Sequence, residues 1–328
     1  MNRGSRIPLA TVLLFLAVSS SSLQAQSLKK IRIGSTTPSP TTLPSEIAVR
    51  KGFFKEEGLD AEIITIRSAD IIIKALLTGH LDYATPLPSL VAAAVRGLPI
   101  RVLGVMIKKT TYMMVSEPSI RSIEGLRGRV VGVSSYGGAS DYAVRLAIQR
   151  GGLDPKRDVT IIQVGGSSAR LAALQAGTIQ ATVLVVPFNL QAERMGYRTL
   201  LWLGKVMDLP QGGLGAHQDR TRQYPAEAVR VLRAMARGIQ LIKSQKEEAV
   251  KFMAEWLKVE RTVAEEIYPM VTESLADYGI VEDSVIQSAV DAAKFEARIN
   301  KEIPLEQVRD WSFAFQARKE LEQKRALK

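Results

Sequence analysis

Residues 75–82 read ALLTGHLD and residues 173–180 read ALQAGTIQ, so one short motif occurs twice at an offset of 98 residues. The same offset separates Gly34 from Gly132, each of which interrupts a short apolar run. Recurrence at a fixed offset indicates that one supersecondary unit is used twice. In each copy, apolar runs alternate with helix-like segments, which predicts two consecutive βα units in each half of this region.

The predicted elements fall into two lobes of α/β structure. The first lobe takes residues 28–112 and, after the chain returns, residues 215–328, whereas the second lobe takes residues 113–214. Beyond Pro225, apolar residues recur at helical spacing, which predicts helices packed on the first lobe. We therefore expect two doubly wound sheets with a hinge and a ligand cleft between them. The pair Gly212-Gly213 fits either the hinge or an ordinary loop.

Residues 1–25 have the pattern of a secretory signal peptide. Arg3 and Arg6 precede the apolar run Leu9–Val18, which is followed by four serines and by the small residue Ala25. The run is too short to span a bilayer, so a membrane anchor is the less favoured interpretation. We therefore expect cleavage near Ala25 and export of the mature chain.

Composition excludes several classes of protein. Cysteine is absent from all 328 residues, which excludes disulfides, cysteine metal sites and a lipid anchor on an N-terminal cysteine. An exported chain without a lipid anchor fits the periplasm. The formal net charge of +11 falls to +9 when Arg3 and Arg6 are removed, but the basic residues are scattered without interleaved aromatics. Nucleic acid is therefore not an expected partner.

Motifs for catalysis and metal binding are absent from the sequence. His80 and His217 are the two histidines and lie in different segments, which gives no support to a metal site. The glycine-containing motifs of hydrolases, nucleotide-binding loops and dinucleotide-binding folds do not occur. Asp82 is interpreted as a surface or capping acid. We therefore expect a binding protein with no catalytic residue, metal or cofactor.

The predicted ligand site is formed by loops that follow strands, because ligands of open parallel sheets bind at the carboxyl ends of the strands. These loops are rich in hydroxyl groups and glycine, and several precede helices, whose N-termini attract anions. Any one of the hydroxyls is equally typical of a helix cap, but they recur in both lobes. The candidate ligand-binding residues are Ser35, Thr36, Thr37, Ser68, Thr85, Ser134, Ser135, Tyr136, Gly137, Ser167, Pro187 and Asn189.

Two points about these loops stay open in the sequence. Tyr136 is suited either to stacking on a ligand or to filling the wall of the cleft. Lys108, Lys109 and Arg170 lie near strand ends or loops, where they could reach the cleft, although long basic side chains at the rim of a lobe are usually solvated.

Four segments resemble the solute-binding proteins of nitrate, sulfonate, taurine and thiamine-precursor ABC transporters. They are residues 52–59 (GFFKEEGL), 126–133 (LRGRVVGV), 152–155 (GLDP) and 171–177 (LAALQAG). The resemblance implies a two-lobed type II periplasmic binding protein fold that closes about a hinge on a small ligand and delivers it to a membrane permease. Carried over by position, the cleft contacts of the family fall at Ser35–Thr37, Thr85, Ser134–Tyr136 and Pro187–Asn189.

The resulting expectation is a soluble, monomeric, periplasmic component of an ABC importer that binds a small organic anion such as a sulfonate or carboxylate. A neutral heterocycle, such as a thiamine-precursor pyrimidine, is the alternative ligand, because the cleft loops contain few basic residues. An enzyme on the same scaffold is a further alternative, although the thiamine-pyrimidine synthase branch relies on a cysteine-rich segment that is absent here. A domain that presents its ligand to a membrane sensor is the last alternative.

Overall fold

The computed structural model describes residues 1, 27–36, 39–66, 68–134, 136 and 139–326. The predicted signal peptide, apart from Met1, lies outside the described residues, and so do Thr37, Ser135 and Gly137. No helix in the described part of the chain is both long enough and apolar enough to cross a membrane.

The described chain alternates strands and helices as far as β10 and is helical thereafter. Its strands are β1 (Lys29–Ser35), β2 (Leu59–Thr65), β3 (Tyr83–Pro86), β4 (Ile100–Ile107), β5 (Met113–Ser116), β6 (Val130–Val133), β7 (Thr160–Gln163), β8 (Ala181–Leu184), β9 (Arg198–Trp202) and β10 (Gly212–His217). Its α-helices are α1 (Leu43–Arg50), α2 (Phe53–Glu56), α3 (Ala69–Leu77), α4 (Leu87–Val95), α5 (Ala139–Arg150), α6 (Ser167–Gln175), α7 (Phe188–Arg194), α8 (Gln218–Gln223), α9 (Pro225–Ser244), α10 (Lys246–Leu257), α11 (Arg261–Ser274), α12 (Asp283–Ala297), α13 (Leu305–Val308) and α14 (Ser312–Ala326).

The strands form two five-stranded sheets with the same design. The first has the order β2-β1-β3-β10-β4 and the second the order β7-β6-β8-β5-β9. In each sheet three parallel strands are followed by an antiparallel one, β10 in the first and β5 in the second. Each antiparallel strand follows a segment that crosses from one sheet to the other, so the chain crosses between the sheets twice. We call these two segments the passages; they are residues 108–112, before β5, and residues 203–211, before β10. The predicted α/β architecture of two sheets is confirmed.

The repeat seen in the sequence corresponds to equivalent contacts in the two sheets. The backbone N–H of Arg32 donates to Asp82 Oδ2 at 2.7 Å, and the backbone N–H of Val130 donates to Gln180 Oε1 at 3.0 Å. Both members of the second pair lie 98 residues after those of the first. The interpretation of Asp82 as a surface acid was wrong, because its carboxylate is buried and also receives Arg220 at 2.7 Å.

The glycine pair Gly212-Gly213 begins β10 and does not form a loop. Gly212 pairs with Ile107 and Gly213 pairs with Val105, so both belong to the first sheet. A Cβ atom on Gly213 would lie 2.6 Å from the carbonyl oxygen of Gly104, which explains the need for glycine. Residue 214, after which the sequence analysis divides the lobes, lies inside β10, and the pair that fitted either a hinge or a loop lies in a buried strand.

The helices after β10 pack on the first sheet. Helix α9 begins with Pro225 at its first position and buries an apolar face against α1 and α14. The helical segment from Leu305 onward is divided into α13 and α14, because Arg309 bridges to Val102 and the backbone N–H of Asp310 donates to the Val102 carbonyl. The segment between α13 and α14 thus extends the edge of the first sheet.

Candidate functional site

A cleft of about 460 Å³ lies between the two sheets at the carboxyl ends of their parallel strands. Loops after β1, β3, β6 and β8 line it, together with both passages between the sheets. The lining residues are Thr36, Ser39, Thr41, Ala69, Thr85, Pro86, Pro88, Ser89, Thr111, Tyr112, Ser134, Ala139, Val185 and Gln211. This set contains seven aliphatic hydroxyls and no charged side chain.

The first lobe contributes a buried pair of hydroxyls. The hydroxyl of Thr85, at the end of β3, lies 3.1 Å from Ser35 Oγ and 3.3 Å from the Gly34 carbonyl oxygen. Thr36 lies beside them on the lining, and Ser35 is buried directly behind it. Ser68 is placed differently, because its Oγ accepts from the backbone N–H of Ile71 and thus caps α3.

The second lobe contributes Ser134, which lies between β6 and α5. Its backbone N–H donates to Ser140 Oγ at 2.8 Å, and the two hydroxyls are 2.7 Å apart. Because Ser140 is fully buried in the first turn of α5, this contact fixes the position of Ser134 on the lining. Tyr136 lies apart from the lining: its side chain is 59% exposed and its hydroxyl is directed at the Ile161 carbonyl of β7.

The loop after β8 places Pro187 and Asn189 beside the cleft but not on its lining. Val185 is the residue of this loop that reaches the lining, and the Val186–Pro187 peptide is cis. Asn189 is only 3% exposed, and its Oδ1 atom has no hydrogen-bond partner in the described part of the chain. Ser167 is half-buried at the start of α6, where its Oγ accepts from Arg170 at 3.1 Å.

The passages between the sheets supply residues that the sequence reasoning missed. Gln211 precedes β10, and its Oε1 accepts from the backbone N–H of Thr111 at 3.1 Å and from the Thr111 hydroxyl at 3.2 Å. This contact joins the two passages side by side at the floor of the cleft. Tyr112 lines the cleft next to Thr111. The run Thr110-Thr111-Tyr112 between two apolar strands was the available indication in the sequence.

The basic residues left open by the sequence now have positions. Lys109 pairs with Glu273 at 2.8 Å on the surface, as expected for a residue at a rim. Arg170 is 2% exposed, so it is not one of the solvated residues at the rim of its lobe. Its guanidinium also acts on Tyr112: burial raises the pKa of the Tyr112 hydroxyl, and the nearby Arg170 charge partly opposes that rise.

The groups on the lining of the cleft can form hydrogen bonds to a small polar molecule. Hydroxyls both donate and accept, and Gln211 and backbone groups extend the set. The lining residues that the structure describes include no carboxylate, imidazole or thiol that could transfer a proton or attack a substrate. Among the described residues no group of three or more acidic or histidine side chains could hold a metal ion.

The fold is that of the periplasmic binding proteins. The structure resembles the periplasmic aliphatic sulphonate binding protein SsuA from Escherichia coli, with a TM-score of 0.73, 17% identity, and coverage of 88% of this chain and 99% of that one. It also resembles the desulfurization enzyme DSZB, with a TM-score of 0.66, 14% identity, and coverage of 89% of this chain and 99% of that one. The fold predicted from the sequence is therefore confirmed.

Similarity in sequence extends over most of the chain. The riboflavin-binding protein RibY of Chloroflexus aurantiacus is 24% identical over 254 residues, which cover 72% of this chain and 71% of that protein. The model of the NMT1-like family matches residues 24–258. This match includes both sheets and every residue that lines the cleft. The chain therefore belongs to the NMT1-like family.

Proposed function

We propose that the protein is the exported substrate-binding component of an ABC importer, which captures a small organic anion and delivers it to a permease in the inner membrane. The observation that carries this proposal is the cleft, whose hydroxyl lining is divided between two lobes joined by two passages of the chain. The sulphonate-binding SsuA, which has the same fold, supports it. We place the mature chain, cleaved near Ala25, in the periplasm as a monomer.

Ligand capture uses the division of the lining between the lobes. Thr36 and Thr85 belong to the first lobe and Ser134 to the second, so a ligand that contacts all three ties the lobes together. Rotation about the two passages, which the contact between Thr111 and Gln211 keeps side by side, brings the walls together. Closure excludes water and presents both lobe surfaces to the permease.

The size and polarity of the cleft indicate the class of ligand. A volume of about 460 Å³ lies within the usual range for small-molecule sites, roughly 300–1,000 Å³. Sulfonate and carboxylate oxygens accept hydrogen bonds, which the hydroxyls of the lining can donate.

A neutral heterocycle is the second candidate ligand. It is favoured by the similarity to the riboflavin-binding RibY and by the lack of a charged side chain among the described residues of the lining. An enzyme on this scaffold, of which DSZB is an example, would have to recruit reactive groups from outside the lining.

A thermal-shift screen tests the proposal. The protein, purified after export of the full-length chain, is mixed with sulfonates, carboxylates, nitrate, taurine, pyrimidines and riboflavin. A ligand at a hundredfold excess over its Kd should stabilise the folded state by about 2.7 kcal/mol. We expect the shift with a sulfonate or carboxylate, and expect Ser134→Ala to reduce it while Ser119→Ala, on the surface, does not. Stabilisation by no member of the panel, or conversion of the bound compound, would contradict the proposal.

A further inference from the structure

Arg170 is a buried cation without an acidic partner. It lies in the first turn of α6 and is 2% exposed. All three guanidinium nitrogens donate to neutral acceptors: Nε to the Val183 carbonyl at 3.1 Å, Nη1 to the Gly165 carbonyl at 2.5 Å, and Nη2 to Ser167 Oγ at 3.1 Å. In the described part of the chain, no aspartate or glutamate forms an ion pair with it.

Two partly buried arginines, Arg220 and Arg145, show the more usual pairing with acidic side chains. Arg220 pairs with Asp82 and Glu227, and Arg145 pairs with Asp141. This is the usual arrangement, because a charge removed from water is stabilised by an opposite charge or by hydrogen bonds of good geometry. Arg170 has the hydrogen bonds but not the opposite charge. A guanidinium remains protonated in proteins, so a net positive charge persists inside the second lobe.

This charge lies directly behind the second-lobe wall of the cleft. Its acceptor Val183 is in β8, two residues before Val185, which lines the cleft. Tyr112 also lines the cleft and is close enough for the Arg170 charge to act on its hydroxyl. Between buried groups a charge acts at low dielectric and is little screened by salt. The positive potential of Arg170 therefore reaches the lining.

We infer that Arg170 makes the cleft selective for anions, by neutralising the charge of a ligand whose oxygens are held by the hydroxyls of the lining. The inference rests on the proposed function and deepens it, since it assigns the ligand to monoanions, such as sulfonates or carboxylates, over neutral heterocycles. Arg170 acts as a positioning and specificity-determining residue behind the wall. Before binding, two carbonyl oxygens and the Ser167 hydroxyl stabilise its charge, and the ligand supplies the missing negative charge.

The test compares charged and neutral probes of matched shape. Dissociation constants of butanesulfonate and butanesulfonamide, and of benzoate and benzamide, are measured by calorimetry on the protein purified after export of the full-length chain. We expect Arg170→Gln to weaken binding of an anion about tenfold or more, and to change binding of its amide less than about twofold. Arg170→Lys keeps the charge and should retain most of the affinity. The control is Arg194→Gln, an exposed arginine on α7 of the same lobe, which should change neither.

Each outcome has a defined meaning. Equal loss of anion and amide binding in Arg170→Gln, or loss of neither, would overturn the inference while leaving the proposed function intact. Failure of the unsubstituted protein to bind any of the four probes would count against the proposed function itself, and the inference would fall with it. If Arg170→Gln does not fold, the inference is tested instead by the salt dependence of anion binding to the unsubstituted protein. Anion affinity that changes little between about 50 and about 500 mM NaCl is expected for a buried charge, and a steep loss would overturn the inference.

Discussion

Gly34 and Gly132 occupy equivalent positions in the two βα repeats, and neither has room for a side chain. A Cβ atom on Gly34 would lie 2.5 Å from Cδ1 of Leu81, and one on Gly132 would lie 2.6 Å from Cδ1 of Ile179. Leu81 and Ile179 are themselves 98 residues apart and close the ALxxG turn before the next strand. The repeat therefore preserves a close contact between a glycine of the second strand of each sheet and an apolar residue.

We predict that Gly132→Ala lowers the free energy of unfolding by about 1–3 kcal/mol, because the added methyl overpacks the core. Ile179→Val removes the Cδ1 atom that the methyl would meet, so the double variant should lose less than the sum of the two single variants. Urea denaturation measures all three. Gly166→Ala is the control, because a Cβ there meets nothing within 4 Å. Simple additivity of Gly132→Ala and Ile179→Val would contradict this account.

The sequence indicates which hydroxyl residues at strand ends line the cleft, but it does not indicate that Arg170 is buried. Thr36, Thr85 and Ser134 line the cleft because each follows or ends a parallel strand, which a pattern of strands and loops is able to indicate. Arg170 could not be placed in this way. Its carbonyl acceptors at Val183 and Gly165 come from a neighbouring strand and a loop, and only tertiary structure brings them around the guanidinium.

Strand β10 is an element whose sequence pattern is typical of a loop, although packing against its neighbours makes it a strand. Three glycines in six residues are typical of a loop, yet Gly212, Gly213 and Gly215 lie in a central strand. A Cβ atom on Gly215 would lie 2.7 Å from Leu90 of α4, so the small residues let α4 and β4 approach. Such a reason for glycine depends on neighbours distant in sequence. The sequence also did not indicate that the passages before β5 and β10 line the cleft, because this too depends on neighbours distant in sequence.

Helix α12 contacts both lobes and also the passage that precedes β10. One face is buried against α4 of the first lobe through Ile286 and Val290. The helix also reaches the second lobe, where the Phe295 ring meets the Tyr142 ring of α5 with centroids 5.7 Å apart. The Ser288 hydroxyl donates to the Asp208 carbonyl. These contacts must change if the lobes rotate, so α12 sets part of the resistance to motion.

We predict that Phe295→Ala shifts the unliganded protein toward a different spacing of the lobes, because an aromatic pair of this kind contributes about 0.5–1.5 kcal/mol. Solution X-ray scattering should show a changed radius of gyration in the unliganded protein, with global stability altered by no more than about 1.5 kcal/mol. Phe315→Ala is the matched control, since Phe315 is similarly exposed on α14. Identical scattering from the two variants would mean that the ring contact does not restrain the lobes.

Each of the two lobes is packed internally, and the two lobes also contact one another. Val186, Leu190 and Trp202 come from the second lobe, yet they belong to the apolar cluster that includes Leu43 and Ile47 of the first. The lobes thus share an apolar contact beside the cleft, close to the passages. If the lobes move without breaking this apolar contact, they rotate about the side of the molecule where the contact lies. Such a rotation changes the width of the cleft.

We predict that ligand binding narrows the mouth of the cleft as the lobes rotate. Because the chain contains no cysteine, Ile71→Cys on α3 and Ser168→Cys on α6 introduce a unique pair of labelling sites, both exposed and one in each lobe. Spin-label distances between them should shorten at saturating ligand. The control pair Lys55→Cys and Ile71→Cys lies within the first lobe and should report no change. Constant distances in both pairs, with binding verified by calorimetry, would show that the ligand enters a cleft of fixed width, and delivery to a permease would then need a signal other than closure.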